Sequence, residues 1–396
     1  MELSGKYLSD EAFEKKIDTY LSSFGPDSDI VVWGCGKACR ILIKAIRDTH
    51  RIKYLVDINK NLWGTKLYGF EVRSPESLEQ EEQVKVKVII VPFGFVRYDI
   101  VSALAQYGFN EDSFCFANEY LVLHHFHYHQ RIVIQNIGFF IGSACTLKCR
   151  DCIAHLAFYT KNRNTFIPFE MIKSDIDETF SNIDFINLIT LSTGEIFLHP
   201  EINKVFEYLN TYKDRYNFIQ TPTNGTVLPK HETLEIMNRC NIGIYISDYS
   251  HSIGRKSKIP QLIKIFDQYK VVYEMFDNLQ GGKSEIPVWS DVGDFFTARN
   301  RSEQQTAQMY QKCANRAAQV VFNGKLYTCG SAQWGEFGGL YQSENNSDYV
   351  YLSQNKISIL RAYFGATEAG YPHVCTRCDG IGPYANTKTV CAGIQA

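Results

Sequence analysis

Three cysteines stand close together in the run Gly142-Ser-Ala-Cys-Thr-Leu-Lys-Cys-Arg-Asp-Cys152, which spaces Cys145, Cys149 and Cys152 as C-x3-C-x2-C. Thiolates at short intervals are the ligands of iron–sulfur clusters. Three of them hold three irons of a four-iron cluster, and the remaining iron is open to a ligand from outside the protein.

A second set lies near the other end. Cys313 and Cys329 bracket Val320-Val-Phe-Asn-Gly-Lys-Leu-Tyr327, which reads as two short strands joined by Asn323-Gly324, a favoured type I′ turn. Such a hairpin folds its flanking cysteines back toward each other. Cys375-Thr-Arg-Cys378 offers two more thiolates. Four thiolates make either a closed tetrahedral zinc site or a fully ligated 4Fe–4S cluster. Cys35, Cys39, Cys115 and Cys240 have no ligand spacing to these motifs and read as packing residues; Cys391 alone remains downstream of the second set.

The elements that must position these residues fall into three sections. Ile30-Val-Val-Trp-Gly-Cys-Gly36, a helical pattern from Lys37 to Ile46 and the strand Ile52–Asp57 form a β-α-β unit. Gly34 and Gly36 fit the first two glycines of a dinucleotide-binding turn, and Asp57 sits at the strand end where an acid can bond a ribose hydroxyl. Cys39 replaces the third glycine. With the strand Val84–Val91 and a helix over Tyr98–Tyr107, residues 1–125 read as a Rossmann-like domain that binds a nucleotide or serves for docking or structure. Leu123-His-His-Phe-His-Tyr-His129 reads as a linker or exposed strand, on which His125, His127 and His129 would share a face.

From Val133 onward, strands over Phe185–Leu191, Tyr216–Thr221, Ile242–Ser247 and Val271–Phe276 alternate with amphipathic helices, which implies a parallel sheet or barrel over residues 131–300. Residues 301–396 form a small cluster-binding section. Polar residues follow the strands: Thr193, Gly194 and Glu195 after the second, Thr223-Asn-Gly225 after the third, Ser247 and Asp248 at the fourth. Tyr249, Glu274 and Arg377 are the polar side chains to weigh as proton acceptors.

These motifs resemble the radical SAM superfamily, and C-x(9–15)-G-x4-C followed by C-x2-C resembles its twitch and SPASM auxiliary-cluster domains. The resemblance implies a partial (β/α)6 barrel with the first cluster at its C-terminal mouth and S-adenosylmethionine (SAM) on the open iron, reduced to a 5′-deoxyadenosyl radical. It implies two 4Fe–4S clusters, the second held by Cys313, Cys329, Cys375 and Cys378. Thr193, Gly194 and Glu195 stand where the family's Gly-Gly-Glu-Pro motif holds the SAM amine, with Thr193 and Ile196 departing from it. Ser247 and Asp248 stand where ribose contacts are made. Asp151 replaces the usual aromatic residue before the last motif cysteine.

The run Cys145–Tyr159 and Leu198-His-Pro-Glu-Ile202 resemble members found in bacterial surface-sugar pathways. They imply hydrogen abstraction from a small sugar-like or nucleotide-sugar substrate, leading to oxidation or epimerisation, with a flavodoxin- or ferredoxin-type reductase as partner. The alternatives are a peptide maturase of the same superfamily, or a degraded scaffold that binds without catalysis.

The chain of 396 residues is 45% hydrophobic and 21% charged, with a formal net charge of −2. That balance disfavours general nucleic-acid binding. No apolar run reaches the roughly 18 residues of a membrane span, and the start, Met1-Glu-Leu-Ser-Gly-Lys, lacks the pattern of a secretory signal. A cytoplasmic enzyme is expected, its twelve cysteines serving metal ligation rather than disulfides.

Overall fold

The computed structural model describes residues 9–25, 27–92, 96–276, 288–343, 347–367 and 369–396. The sequence start read above, Met1 to Lys6, lies outside them. The chain forms two compact units, whose main stretches are Glu11–Val133 and Ile134–Ala396.

In the first unit the apolar strand β1 (Asp29–Trp33) is central. It pairs in parallel with β2 (Arg51–Val56) and with β5 (Val86–Ile90). Outside these lie β4 (Phe70–Arg73), parallel to β2, and β6 (Phe114–Phe116), parallel to β5, while β3 (Lys66–Leu67) adds an antiparallel edge. The order β3-β4-β2-β1-β5-β6 reverses direction at β1, the switch point where doubly wound sheets bind ligands. Helices α1 (Asp10–Ser23), α2 (Lys37–Ile46), α3 (Val96–Gln106) and α4 (Ala117–His129) accompany it. Helix α2 forms because Cys39, Leu42, Ile43 and Ile46 recur on one face and are all buried.

The histidine run is helical, which corrects the expected linker or strand. Helix α4 continues through it until Gln130 turns left-handed at φ 54° and caps the carbonyls of His125 and Phe126. His125 and His129 are therefore one turn apart, with ring centroids 6.0 Å apart, while His127 turns away to Asp18 at 3.2 Å. They do not share one face.

The second unit is built on an eight-stranded sheet. Strand β7 (Val133–Phe140) neighbours β8 (Phe185–Ser192), followed by β9 (Tyr216–Thr223), β10 (Ile242–Ser247) and β11 (Tyr273–Phe276). The pairs β8–β9, β9–β10 and β10–β11 are parallel. The connections from β7 through β11 carry, in order, α5 (Phe169–Asn182), α6 (Ile202–Asn210), α7 (His231–Arg239), the short α8 (Ser250–Ile253) and α9 (Ile259–Tyr269). Strand β12 (Val288–Ser290) leaves this sheet and pairs with a late strand described below.

On the other side of β7 the sheet continues without a break. β13 (Val320–Phe322) is parallel to β7, and β14 (Lys325–Tyr327) and β15 (Tyr349–Tyr351) follow antiparallel. Asn323 and Gly324, at φ 52° and 70°, form the expected hairpin turn. Its two N–H groups are held by the buried Asp175 of α5, at 2.9 and 2.7 Å. Helices α11 (Gly330–Phe337) and α12 (Lys356–Phe364) pack on the hairpin, α10 (Glu303–Lys312) packs beside the turn at His373–Thr376, and β16 (Thr389–Cys391) pairs antiparallel with β12. Among the described residues no helix is long and apolar enough to cross a membrane.

Candidate functional site

The loop carrying Cys145, Cys149 and Cys152 begins where β7 ends. Gly142 opens it at φ 147°, where a Cβ would stand 2.4 Å from the Thr165 carbonyl, so only glycine fits. Cys149 is buried, and Cys145 and Cys152 are half-buried. The Cys145 sulfur accepts N–H groups from Leu147 and Asn224, both at 3.5 Å, and the Cys149 sulfur accepts one from Gln395 at 3.3 Å. Burial pushes the Cys145 thiol up to about 12 and Cys149 up to about 11, and raises Cys152. Such groups stay protonated until a metal displaces the proton.

The turn after β8 locks onto this loop. A Cβ on Gly194 would stand 2.5 Å from the Ala144 carbonyl oxygen and 2.7 Å from the Cys145 Cβ, and the Glu195 N–H donates to that carbonyl at 2.8 Å. Thr193 sits half-buried beside it. Glu195 has no exposed surface. Its carboxyl oxygens accept from the Thr223 hydroxyl at 2.8 and 3.1 Å, from the Asn224 N–H at 2.8 Å and from the Phe197 N–H at 3.3 Å. Burial still pushes this group up to about 7, and no cation is among the neighbours that shift it. The ends of β8 and β9 are thus tied together beside Cys145 through Glu195 and Asn224.

At the end of β10, Ser247 is buried, and the Asp248 carboxylate accepts the Ser250 N–H at 2.8 Å to start α8. Tyr249 packs, as Cys145 and Cys152 do, against the buried group of Leu147, Cys149 and Ile253, with Trp289 of β12 edge-on to its ring at 5.3 Å. Glu274 lies within β11, where Gln220 donates to it at 3.0 Å on an exposed surface, so it is not a strand-end group. Arg377 donates to the Phe296 carbonyl at 2.7 Å.

Cys313, Cys329, Cys375 and Cys378 are all buried and line one cavity with Met309 and Tyr310. Ile381 and Gly380 donate N–H groups to the Cys313 and Cys378 sulfurs, each at 3.3 Å. Arg301 braces the Cys375–Cys378 turn through the carbonyls of both cysteines at 2.6 and 2.5 Å. Burial raises all four thiols, Cys378 to about 12. Among the described residues no three His, Cys, Asp or Glu side chains converge on one metal ion. A cubane keeps its ligands spread around its own body, so thiols lining a common cavity, with N–H groups turned to their sulfurs, fit a cluster.

Beside the cysteine loop opens a pocket of about 360 Å³ lined by the polar Arg150, Asp151, His155, Asp291 and Asp294 together with the apolar Phe158, Val292, Phe295, Phe296 and Leu340. Burial pulls the His155 imidazole down to about 4, and its Nε2 has no hydrogen-bond partner among the described residues.

In the first unit, Gly34 has φ 108° and a Cβ there would meet Pro92 at 2.6 Å, whereas Gly36 faces open space at the start of α2. Asp57 accepts the Cys35 N–H at 2.8 Å and the Asn59 N–H at 2.9 Å. Asp57 therefore clamps the glycine loop.

Trp289, Arg301 and Gln395 carry no sequence signal that singles them out, whereas Asn224 lies in the polar run after the third strand. Gln395 lies 246 residues from the cysteine that its amide touches, and no local pattern marks such a contact.

No protein-family model matches the chain, and no curated protein does. Among solved structures it is similar to anSMEcpe with bound AdoMet and Cp18Cys peptide, at 11% identity over 64% of this chain and 91% of that one, with TM-score 0.40. BtrN in complex with AdoMet and 2-DOIA gives 16%, 62%, 92% and 0.39. Streptococcus suis SuiB bound to precursor peptide SuiA gives 13%, 70%, 78% and 0.33. All three TM-scores are 0.40 or lower, so the functional reading rests on this chain's own residues.

Proposed function

We propose that the chain is a radical SAM enzyme with one open-site 4Fe–4S cluster on Cys145, Cys149 and Cys152 and an auxiliary 4Fe–4S cluster on Cys313, Cys329, Cys375 and Cys378. The observation that carries this is the close packing of Gly194 and Glu195 against the three-cysteine loop. When bound, the open-site cluster would supply the electron that splits SAM into methionine and a 5′-deoxyadenosyl radical, and the auxiliary cluster would supply an acceptor for the electron that an oxidised substrate gives up.

This chain's residues bind and exclude. Thr193, Gly194 and Glu195 receive the SAM amine: a buried carboxyl without a cation beside it is where an ammonium is favoured. Ser247 and Asp248 flank the ribose, and Tyr249 with Trp289 closes the loop against water. The pocket sets a few polar side chains, Arg150, Asp151, His155, Asp291 and Asp294, into an otherwise apolar wall, and such convergent polar groups would orient the hydroxyls of a small molecule. A sugar-like substrate losing a hydrogen atom, then oxidised or epimerised, is the reading this supports.

Anaerobic reconstitution tests it. About eight irons per chain are expected, about four remaining when Cys145, Cys149 and Cys152 are all replaced by Ala. The reduced protein should release 5′-deoxyadenosine from SAM, and deuterium should reach it from a labelled sugar-like substrate. Saturation at four irons with zinc in the second site removes the auxiliary cluster. Deuterium transfer from peptides alone replaces the sugar reading with the peptide-maturase one.

A further inference from the structure

Residues 389–396 form a strap across the cysteine loop. Strand β16 is anchored on β12, and the His251 ring and the Ser252 hydroxyl hold the carbonyls of Ala392 and Gly393 at 2.8 and 2.9 Å. Gly393, at φ 73°, passes so close that a Cβ would stand 2.7 Å from that of Tyr249. Cys149 and Gln395 then form an antiparallel bridge, with Arg150 N–H bonded to Ile394 O at 2.8 Å and Ala396 N–H to Lys148 O at 2.6 Å.

The strap delivers one amide to one sulfur. Gln395 Oε1 accepts the Lys148 N–H at 2.9 Å, and Nε2 donates to the Gly393 carbonyl at 2.7 Å and to the Cys149 sulfur at 3.3 Å. All three contacts agree on the amide's orientation. Flipped, it would turn oxygen toward the Gly393 carbonyl and NH2 toward the Lys148 N–H. Its donor is therefore fixed on sulfur at no further ordering cost.

We infer that Gln395 is a positioning residue that sets the reduction potential of the open-site cluster through its N–H···S bond to Cys149. The inference rests on the reading of Cys145, Cys149 and Cys152 as cluster ligands. Reduction adds negative charge to a cluster and its thiolates, and a donor aimed at one sulfur stabilises the reduced state more than the oxidised one. Removing the donor lowers the potential, and the electron is harder to load.

The test is an EPR-monitored redox titration of the reconstituted full chain, following the reduced-cluster signal that changes on adding SAM. Gln395→Leu and Gln395→Met keep the bulk and remove the donor. Each is expected to retain wild-type iron while the reduced-to-oxidised ratio at a fixed poise falls several-fold, a tenfold fall corresponding to about 59 mV for one electron. Either variant retaining iron with an unchanged midpoint overturns the inference. Loss of iron from both, with the wild type loaded, also overturns it, since the strap is then only structural. A wild type without a SAM-responsive signal overturns instead the cluster reading beneath it.

Discussion

Gly194 and Cys145 approach so closely that a Cβ on the glycine would lie 2.7 Å from that of the cysteine, with the Ala144 carbonyl nearer still at 2.5 Å. Both obstacles belong to a loop whose position decides where the three thiols stand, and neither is the mobile end of a side chain. Gly194→Ala must therefore displace the loop, at a cost of roughly 1–3 kcal/mol. Lower iron uptake at the first site is expected, with the second unaffected. Iron and sulfide analysis beside the EPR spectrum checks this, and full loading with unaltered SAM response is the contrary result.

Glu195 gives a pH dependence with a definite sign. Burial pushes it from 4.5 up to about 7. In the ligand-free protein the unfolded chain ionises first, so the group's contribution to stability is fully present below about pH 4.5 and declines as pH rises to about 7. The amide of a Glu195→Gln variant does not titrate, so the stability of wild type relative to that variant should fall across the same window in thermal melts. SAM binding should run the other way, weakening below pH 7 as the carboxyl protonates. At neutral pH Glu195→Gln should bind SAM more weakly by about 1.5–3 kcal/mol, which equilibrium binding would read.

Much of this frame is visible in local sequence. The strand expected over Ile242–Ser247 spans those residues, and Asn323-Gly324 makes its turn because both positions accept positive φ. The histidine run misleads because alternation at 125, 127 and 129 mimics a strand, while Tyr120 to His124 are buried one after another, all round the helix that continues into it. The site's supporting contacts are invisible for another reason. Asp175 reaches its turn across 148 residues, and Asn224 reaches Cys145 across 79. Such pairings depend on which elements become neighbours, and an Asp within a helix or an Asn after a strand has commoner local explanations.

Asp175 turns that missed contact into a measurable one. It is 3% exposed, and its carboxylate takes both N–H groups of the Asn323-Gly324 turn. Asp175→Ala leaves two donors without an acceptor, and a loss of about 1–3 kcal/mol is expected in denaturant unfolding. The hairpin leads to Cys329, so the variant should also lose iron at the second site before the first. Unchanged unfolding would mean that water replaces the carboxylate without penalty.

The glycine loop of the first unit carries the last prediction. The chain reverses strand order at β1, and Gly36 begins α2 with open space where a side chain would be, an arrangement that lets a phosphate approach helix N–H groups. Asp57 holds the loop through the Cys35 and Asn59 N–H groups at 2.8 and 2.9 Å. The site proposed at Gly34, Gly36 and Asp57 should take a nucleotide-bearing ligand, a nucleotide sugar matching the proposed substrate chemistry. Calorimetry of the full chain against nucleotide sugars and nicotinamide dinucleotides should give heat with at least one of them. Gly36→Val, which fills the open space where Gly36 has an ordinary φ of −70°, should abolish that heat while leaving the melting temperature nearly unchanged. Silence across both panels would leave the loop as a structural turn clamped by Asp57, with the unit serving docking instead.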